Sequence, residues 1–353
     1  MAASAQAGTI GFGAQTAKES APSTWYRHRA TMVDLAVNDP TAEGPPEVGG
    51  RPLPTFPYKT GPIVAGGLTI QPRFEDTLGW LLYGLIGDLS SAESPGASGL
   101  YNHTFTLLSG DETFVPWMGF RKHIPRVDGG AATDLGEQYT DCKILGGALA
   151  LPNDSPLSMR LDVLGRTFEL NHDPTAWTWA ADFEDWQSIP VACAVGGYLK
   201  FDAVEMPVIA ASVGFQNVPL DLRQEKVYGD PFLDGITVVG RRLAFDFTVK
   251  WENPDLYASI LTGSTIGTEW TSAPTTGSFE VKAVSSVNMP SETEPYSLII
   301  SGTEVMLSQV GGIQLAGNQA VLLRYSGVAL DNASYISFVL RNKVASYTWP
   351  VGS

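Results

Sequence analysis

The sequence is short of cysteine, of charge and of long apolar runs, and each shortage closes a class of explanation. Two cysteines in 353 residues, Cys142 and Cys193, supply neither a disulfide framework nor a metal motif, and their apolar and β-branched neighbours make them buried free thiols. The longest nearly apolar stretch, IPVACAVGGYL at 189–199, falls well below the roughly 20 residues that span a bilayer. The opening MAASAQAGTIGFGAQT lacks the basic start and apolar block of a signal peptide, which predicts a soluble protein made inside a cell. No phosphate-binding loop is present; GTIGFG at 8–13 has the glycines but no preceding strand. His28, His103, His123 and His172 show no HExxH or close HxH spacing, so neither a metal centre nor a cofactor is expected. Basic residues are scarce too. Lys and Arg number 22 against 37 Asp and Glu, a net charge of −15, so the chain is ill suited to gripping phosphates.

What the chain has in abundance is turn residues and alternation. It holds 37 glycines and 24 prolines, above the usual combined share of about 12 per cent, and only 17 per cent charged residues against about 25 per cent typically. With many Thr, Val, Tyr, Phe and Trp, this composition predicts a mainly β fold with many turns, and a surface covered in part by partners. One stretch, IVAGGLTIQPRFEDTLGWLLYGLIG at 63–87, reads as a strand, a turn and a short amphipathic helix. Apolar residues at 74, 78, 81, 82, 85 and 86 fall on one helical face, and Gly87 stops it.

The same order returns at 236–263, ITVVGRRLAFDFTVKWENPDLYASILTG. Gly66 matches Gly240, Phe74 matches Trp251, Leu85 matches Ile260 and Gly87 matches Gly263, at offsets between 174 and 177. Here Asn253 caps, Pro254 opens the helix, Asp255 suits the positive end of its dipole, and Leu256, Tyr257, Ile260 and Leu261 form the expected buried stripe. YNHTFTLL likewise matches GSFEVKAV, Phe105 with Phe279. The repeat predicts two tandem β-sandwich or barrel-segment domains, each with one short α-helix.

Taken in order, residues 1–23 read as an N-terminal arm with little core of its own. The first domain spans 24–172, opening on a strand whose Met32, Leu35 and Val37 face a core. The second spans 173–340, and 341–353 form a C-terminal tail whose Tyr347 and Trp349 are expected to dock on a neighbouring subunit. Between 39 and 62 lie seven prolines, which exclude helix and central sheet and predict an extended projecting loop over 39–61. A shorter loop at 222–235, LRQEKVYGDPFLDG, stands before the matching strand of the second half.

GTIGFGAQTAKESAPSTW, VAGGLTIQPRFEDTLGWLLYGLIG, YNHTFTLL and FQNVPLDLRQEKVYGDPFLDGITVVGRRLAFDFTVKWENPDLY together resemble the tail tube proteins of long-tailed, siphophage-type bacteriophages, with two tube domains in one chain. The resemblance spans most of the sequence. It implies β-sandwich domains whose inner sheets join into a β-barrel ring on oligomerisation, three chains making a pseudo-sixfold ring. It also implies stacked rings forming a channel for DNA from capsid to host, with no catalytic residue and no membrane. The protein would be made in the host cytoplasm and reside in the virion tail. Its partners would be itself, the tail tip or distal tail and terminator proteins, a tape measure protein in the lumen, and DNA in transit without specific binding. The inter-ring loops map to Pro40, Pro45, Pro46, Arg51, Pro54, Phe56 and Tyr58 in the first half, and to Lys226, Tyr228 and Phe232 in the second. An acidic lumen would repel passing phosphates over a Debye length of roughly 8 Å. Glu137 and Asp141, of equal parity on one strand, are the candidates for it.

Two other readings compete. Trp177, Trp179 and Trp186 beside Asp182, Glu184 and Asp185 combine aromatic platforms with paired carboxylates, the equipment of sugar hydrolysis. The ordinary account of such a cluster is a solvated acidic loop. The alternative function is a carbohydrate- or receptor-binding β-sandwich on a virion surface.

Overall fold

Alternation along the chain becomes twenty strands and two short helices among the described residues of a computed structural model. Those residues are 8–39, 41–46, 48–50, 53–54, 56–74, 77–94, 99–107, 115–125, 134–171, 173–180, 192–252, 254–289, 292–313, 320–330 and 336–347. The first half supplies β1 (Thr9–Ala14), β2 (Tyr26–His28), β3 (Met32–Val33), β4 (Ala36–Asn38), β5 (Thr41–Glu43), β6 (Pro57–Lys59), β7 (Ile63–Ile70), α1 (Leu78–Ile86), β8 (Asp88–Glu93), β9 (Tyr101–Thr106), β10 (Met118–Ile124), β11 (Leu135–Pro152) and β12 (Ser158–Asn171). The second half supplies β13 (Ala192–Phe201), β14 (Val204–Glu205), β15 (Val208–Pro219), β16 (Val238–Lys250), α2 (Asp255–Thr262), β17 (Thr275–Asn288), β18 (Pro295–Val310), β19 (Leu322–Ala329) and β20 (Ile336–Asn342).

Every ladder is antiparallel, and the two halves pair their strands in the same order. It runs β4–β7–β12–β11–β10–β1 in the first half and β15–β16–β19–β18–β17–β13 in the second. Two ladders cross between halves: β11 with β15, from Gly146↔Gln216 to Pro152↔Ala210, and β9 with β20. The sheet stays open in the single chain; no barrel closes. By pairing, β17 takes the place of β10 rather than of β9. The expected match of YNHTFTLL with GSFEVKAV is therefore not the structural one, and β8–β9 is a hairpin added on β20.

Both helices end on glycine, Gly87 at φ +108° and Gly263 at φ +73°, the left-handed conformation that glycine adopts without steric cost. Pro254 stands at the N-cap rather than inside the helix, and Asn253 lies outside the described residues. Within the expected N-terminal arm, the described residues 8–23 are not coreless. Ile10 and Phe12 of β1 are buried, and the glycines beside them, Gly11 and Gly13, let bulky covers approach. A Cβ on Gly11 would sit 2.1 Å from the Trp179 ring, and one on Gly13 2.5 Å from Pro22. Nor does Tyr347 reach a neighbour. It is buried on its own chain, with its ring edge-on to Trp80 of α1 at 5.7 Å; Trp349 lies outside the described residues. Met32, expected in the core, is half exposed. Asp34 and Leu35 interrupt β3 and β4, the Asp34 carboxylate taking the Gly67 N–H at 2.6 Å, and a one-residue shift exchanges the faces of a strand.

Two histidines are held neutral inside this fold. His103 Nε2 donates to Val344 O (2.8 Å), with Asn342 Oδ1 at 3.0 Å, while Nδ1 accepts from Ser91 Oγ. Burial lowers its pKa, against the opposing pull of those acceptors. His28, beside Phe12 and 2.5 Å from Thr77 Oγ1, is lowered to about 4 by burial and by the Arg73 charge. The unfolded chain therefore takes up protons first, and stability present above about pH 6.5 is lost as pH falls toward 4. Denaturant titrations at pH 7 and 4.5 should show this loss, and His28→Gln should reduce it; an identical pH dependence in the variant would refute the assignment.

Candidate assembly surfaces

Cross-strand partners trace one continuous face through both halves. Met32, Thr69, Arg160, Ala148, Gly214, Ala244, Val328 and Met306 stand opposite one another in turn across β3, β7, β12, β11, β15, β16, β19 and β18. A neighbouring row runs Ser158, Ala150, Ser212, Asp246, Ser326 and Ser308. Alternate positions, among them Leu161, Leu149, Val213, Phe245 and Leu307, point the other way into the core. The open face is thus a wall of small side chains. Two of its arginines are ion-paired: Arg160 lies 2.9 Å from both Asp34 and Asp162, and Arg324 lies 3.6 Å from Asp246; Arg242, opposite Gln216 in the next row, is exposed on the same face.

The two acids expected to line a lumen are not on this wall. Met118 pairs with Cys142 but Phe120 with Tyr139, so Thr140 and Asp141 together oppose the single Gly119. This is a β-bulge, with Asp141 at φ +54°. The extra residue breaks the parity argument. Asp141 is 1% exposed and 3.0 Å from Arg166 Nη1, and it accepts hydrogen bonds from Gln15 Nε2 and the Glu19 N–H. Its charge is neutralised inside the protein. Glu137, before the bulge, pairs with Lys122 and accepts from the Tyr139 hydroxyl, which burial and then Glu137 keep protonated far above its usual range.

Arg166 is the signal the sequence reading missed, a lone cation in the apolar run LDVLGRTF. It is 8% exposed and gathers three segments: Asp141 on β11, Glu19 at 3.0 Å, and the loop before β16 through Leu233 O and Asp230. Lys18 adds a hydrogen bond to Asp234 O (2.8 Å), and Leu233 and Ile236 pack on Leu164. The 222–235 loop is therefore docked on the first half over most of its length. Only its tip projects, with Tyr228 fully exposed; Lys226 and Phe232 are half-buried at its flanks.

The structure brings the two predicted loops together. Lys226 Nζ donates to Thr60 O (2.8 Å), and Gly61, at φ +96°, lies against the Pro231 carbonyl. From this anchor the proline-rich connection leaves as a two-stranded ribbon, β5 paired with β6 from Thr41↔Lys59 to Glu43↔Pro57 and, among the described residues, joined to no other strand. Phe56 and Tyr58 lie on it about half exposed with ring centroids 6.2 Å apart, Val48 and Leu53 are exposed, and Pro45, Pro46 and Pro54 belong to its described turn. Pro40 and Arg51 lie outside the described residues.

The sugar-site candidates divide differently. Trp177 packs on Gly136 and Trp179 on Gly11, and Arg121 stacks on Trp25 and Trp177 at 3.8 and 4.9 Å, so these two indoles are used in packing. Asp182, Glu184, Asp185, Trp186 and His172 lie outside the described residues. No helix among the described residues is long and apolar enough to cross a membrane.

Among curated proteins no match is found. The family model described as phage tail tube protein matches residues 5–329, nearly the whole chain, including the ribbon, both helices and the wall. A mainly β chain with an open antiparallel sheet, matched over that length, belongs to the phage tail tube protein family: it is a structural subunit of the virion tail that assembles with itself and with other tail components.

Proposed function

We propose that the two halves are copies of one module, the first taken as 24–172 and the second as 173–340, standing side by side as adjacent staves. Three chains then close a pseudo-sixfold ring, and stacked rings form the conduit for DNA from capsid to host. The observation that carries this reading is the β11–β15 seam, where the end of one half's long hairpin pairs with the edge strand of the other. Its counterpart between chains is available. Ser308–Val310 of β18 extend beyond the last β17 partner, Leu307, and among the described residues β3 and β4 are paired only with β7. Pairing these edges between copies repeats the internal seam and removes strand edges that otherwise invite uncontrolled association.

In such a ring the small-residue wall faces the channel. Ala148, Ala150, Ser212, Ser326 and Ser308 offer no cationic hold on phosphates, Arg160 and Arg324 are already paired with aspartates, and Arg242 is the exposed arginine left on this face. Passage then follows from the lack of a sticking point as much as from repulsion. The ribbon and the Tyr228 tip reach the next ring. Terminator, distal tail and tape measure proteins are the remaining partners of this reading.

Electron microscopy of the purified protein tests it directly. Class averages of stacked rings with six-fold features and three chains per ring are expected; a monomer that forms neither rings nor tubes at high concentration would overturn it.

A further inference from the structure

The two helices stand at matching places after β7 and β16, yet their environments differ. Eight of the nine residues of α1 are buried, and the second half does much of the covering. Tyr347 lies over Gly79 and Trp80, Asn217 Nδ2 donates to Leu85 O (2.8 Å), and Arg241 Nη1 donates to Ile86 O (2.5 Å). Of α2, no residue is buried. Its predicted stripe of Leu256, Tyr257 and Ile260 is only half covered, and Leu261 is exposed. A cleft of about 390 Å³ opens beside it, lined by Met206, Val249, Trp251, Leu256 and Leu323. The segment that follows, tied to the helix by the Thr271 N–H to Leu261 O (3.1 Å), holds Ile266 at 88% and Trp270 at 78% exposure.

We propose that this face of α2 is a docking surface for the first half of a second copy of the chain, which covers α2 as the second half covers α1. The inference rests on the ring reading above and deepens it. Two observations point to a second copy. The internal seam supplies the template, because the half that adds β15 to β11 also closes over α1. The cleft is also continuous with the free edge: Thr275 and Thr276 on its wall pair with Leu307 and Met306, and Ser308–Val310 begin where that ladder ends. Val310 and Leu322, beside it, are each 44% exposed. A copy docked along that edge reaches the cleft. Contiguous apolar surface of this kind marks association sites, and an exposed tryptophan is the residue type most often dominant in them.

Hydrogen–deuterium exchange on the full chain, compared between dilute monomer and assembled rings, tests this together with the double variant Ile266→Ser/Trp270→Ser. Amides of α2 should exchange at least tenfold more slowly in rings. The variant should melt like the parent but need at least a tenfold higher concentration to assemble in sedimentation velocity. Rings that protect β3, β4 and Ser308–Val310 but leave α2 exchange unchanged would overturn this inference and leave the ring reading standing. Rings in which those edges exchange as in the monomer would overturn the seam itself. Should the variant fail to fold, the exchange comparison on the parent chain still decides.

Discussion

Replacing residues 44–56 by a two-residue Asn-Gly turn should give a folded chain that forms rings but no tubes. Glu43 and Pro57 are the last paired residues of the ribbon, so a two-residue turn can close the strands directly. Little stability should be lost. Among the described residues, neither β5 nor β6 pairs with the main sheet and no ribbon residue enters either apolar cluster. Exposed positions without such contacts usually change stability by within about 0.5 kcal/mol. What disappears is the exposed Val48, Leu53 and Phe56, while the anchor at Thr60 and Lys226 stays. Thermal melts and electron micrographs read the two halves of the expectation. Tubes of ordinary length from the shortened chain would show that the ribbon does not join rings.

The second large effect is on stability. Asp141→Ala should cost about 3–5 kcal/mol in denaturant unfolding, because removing one partner of a buried pair leaves the other charge desolvated. Glu19 and Asp230 remain near Arg166, at 3.0 and 3.9 Å, which places the expectation toward the lower end. Part of the loss is backbone strain, since alanine disfavours φ +54°. Asp141→Gly separates the two causes: it accepts the bulge conformation and loses only the carboxylate's contacts. If charge dominates, the glycine variant is nearly as unstable as the alanine one, and Asp141→Gly with Arg166→Met recovers much of the difference. A loss below about 1 kcal/mol for Asp141→Ala would mean that Arg166 is adequately solvated or paired without it.

Much of the fold was legible because it depends on neighbours in sequence. The period-two runs became strands, the 78–86 part of the 74–86 spacing a helix with Phe74 buried ahead of it, and Gly87 and Gly263 the stops of the two helices. The misreadings share a cause in contacts between distant residues. Parity placed Glu137 and Asp141 on one face, but an added residue at the bulge resets parity, and no local pattern in EQYTDCKI announces it. β1 looked coreless because three of its six residues are glycine or alanine, and of its covers Pro22 lies later in the same stretch while Trp179 comes from far along the chain. The α2 stripe has the right spacing; whether it is covered depends on what lies across from it. For the assembly surfaces, proline content identified the ribbon, while its anchoring by Lys226 and the Arg166 hub could be found only in three dimensions.

The seam between β11 and β15 also bears on how a ring would grow. A covalent tether makes this joint unimolecular, with an effective concentration set by the connecting chain, on the order of millimolar for short flexible links, whatever the dilution. Its counterpart between molecules obeys mass action. Half the joints of a closed circle would thus exist before any encounter, and three joints between molecules would replace six, leaving the intermolecular edge as the step through which subunit supply sets the pace of tail construction.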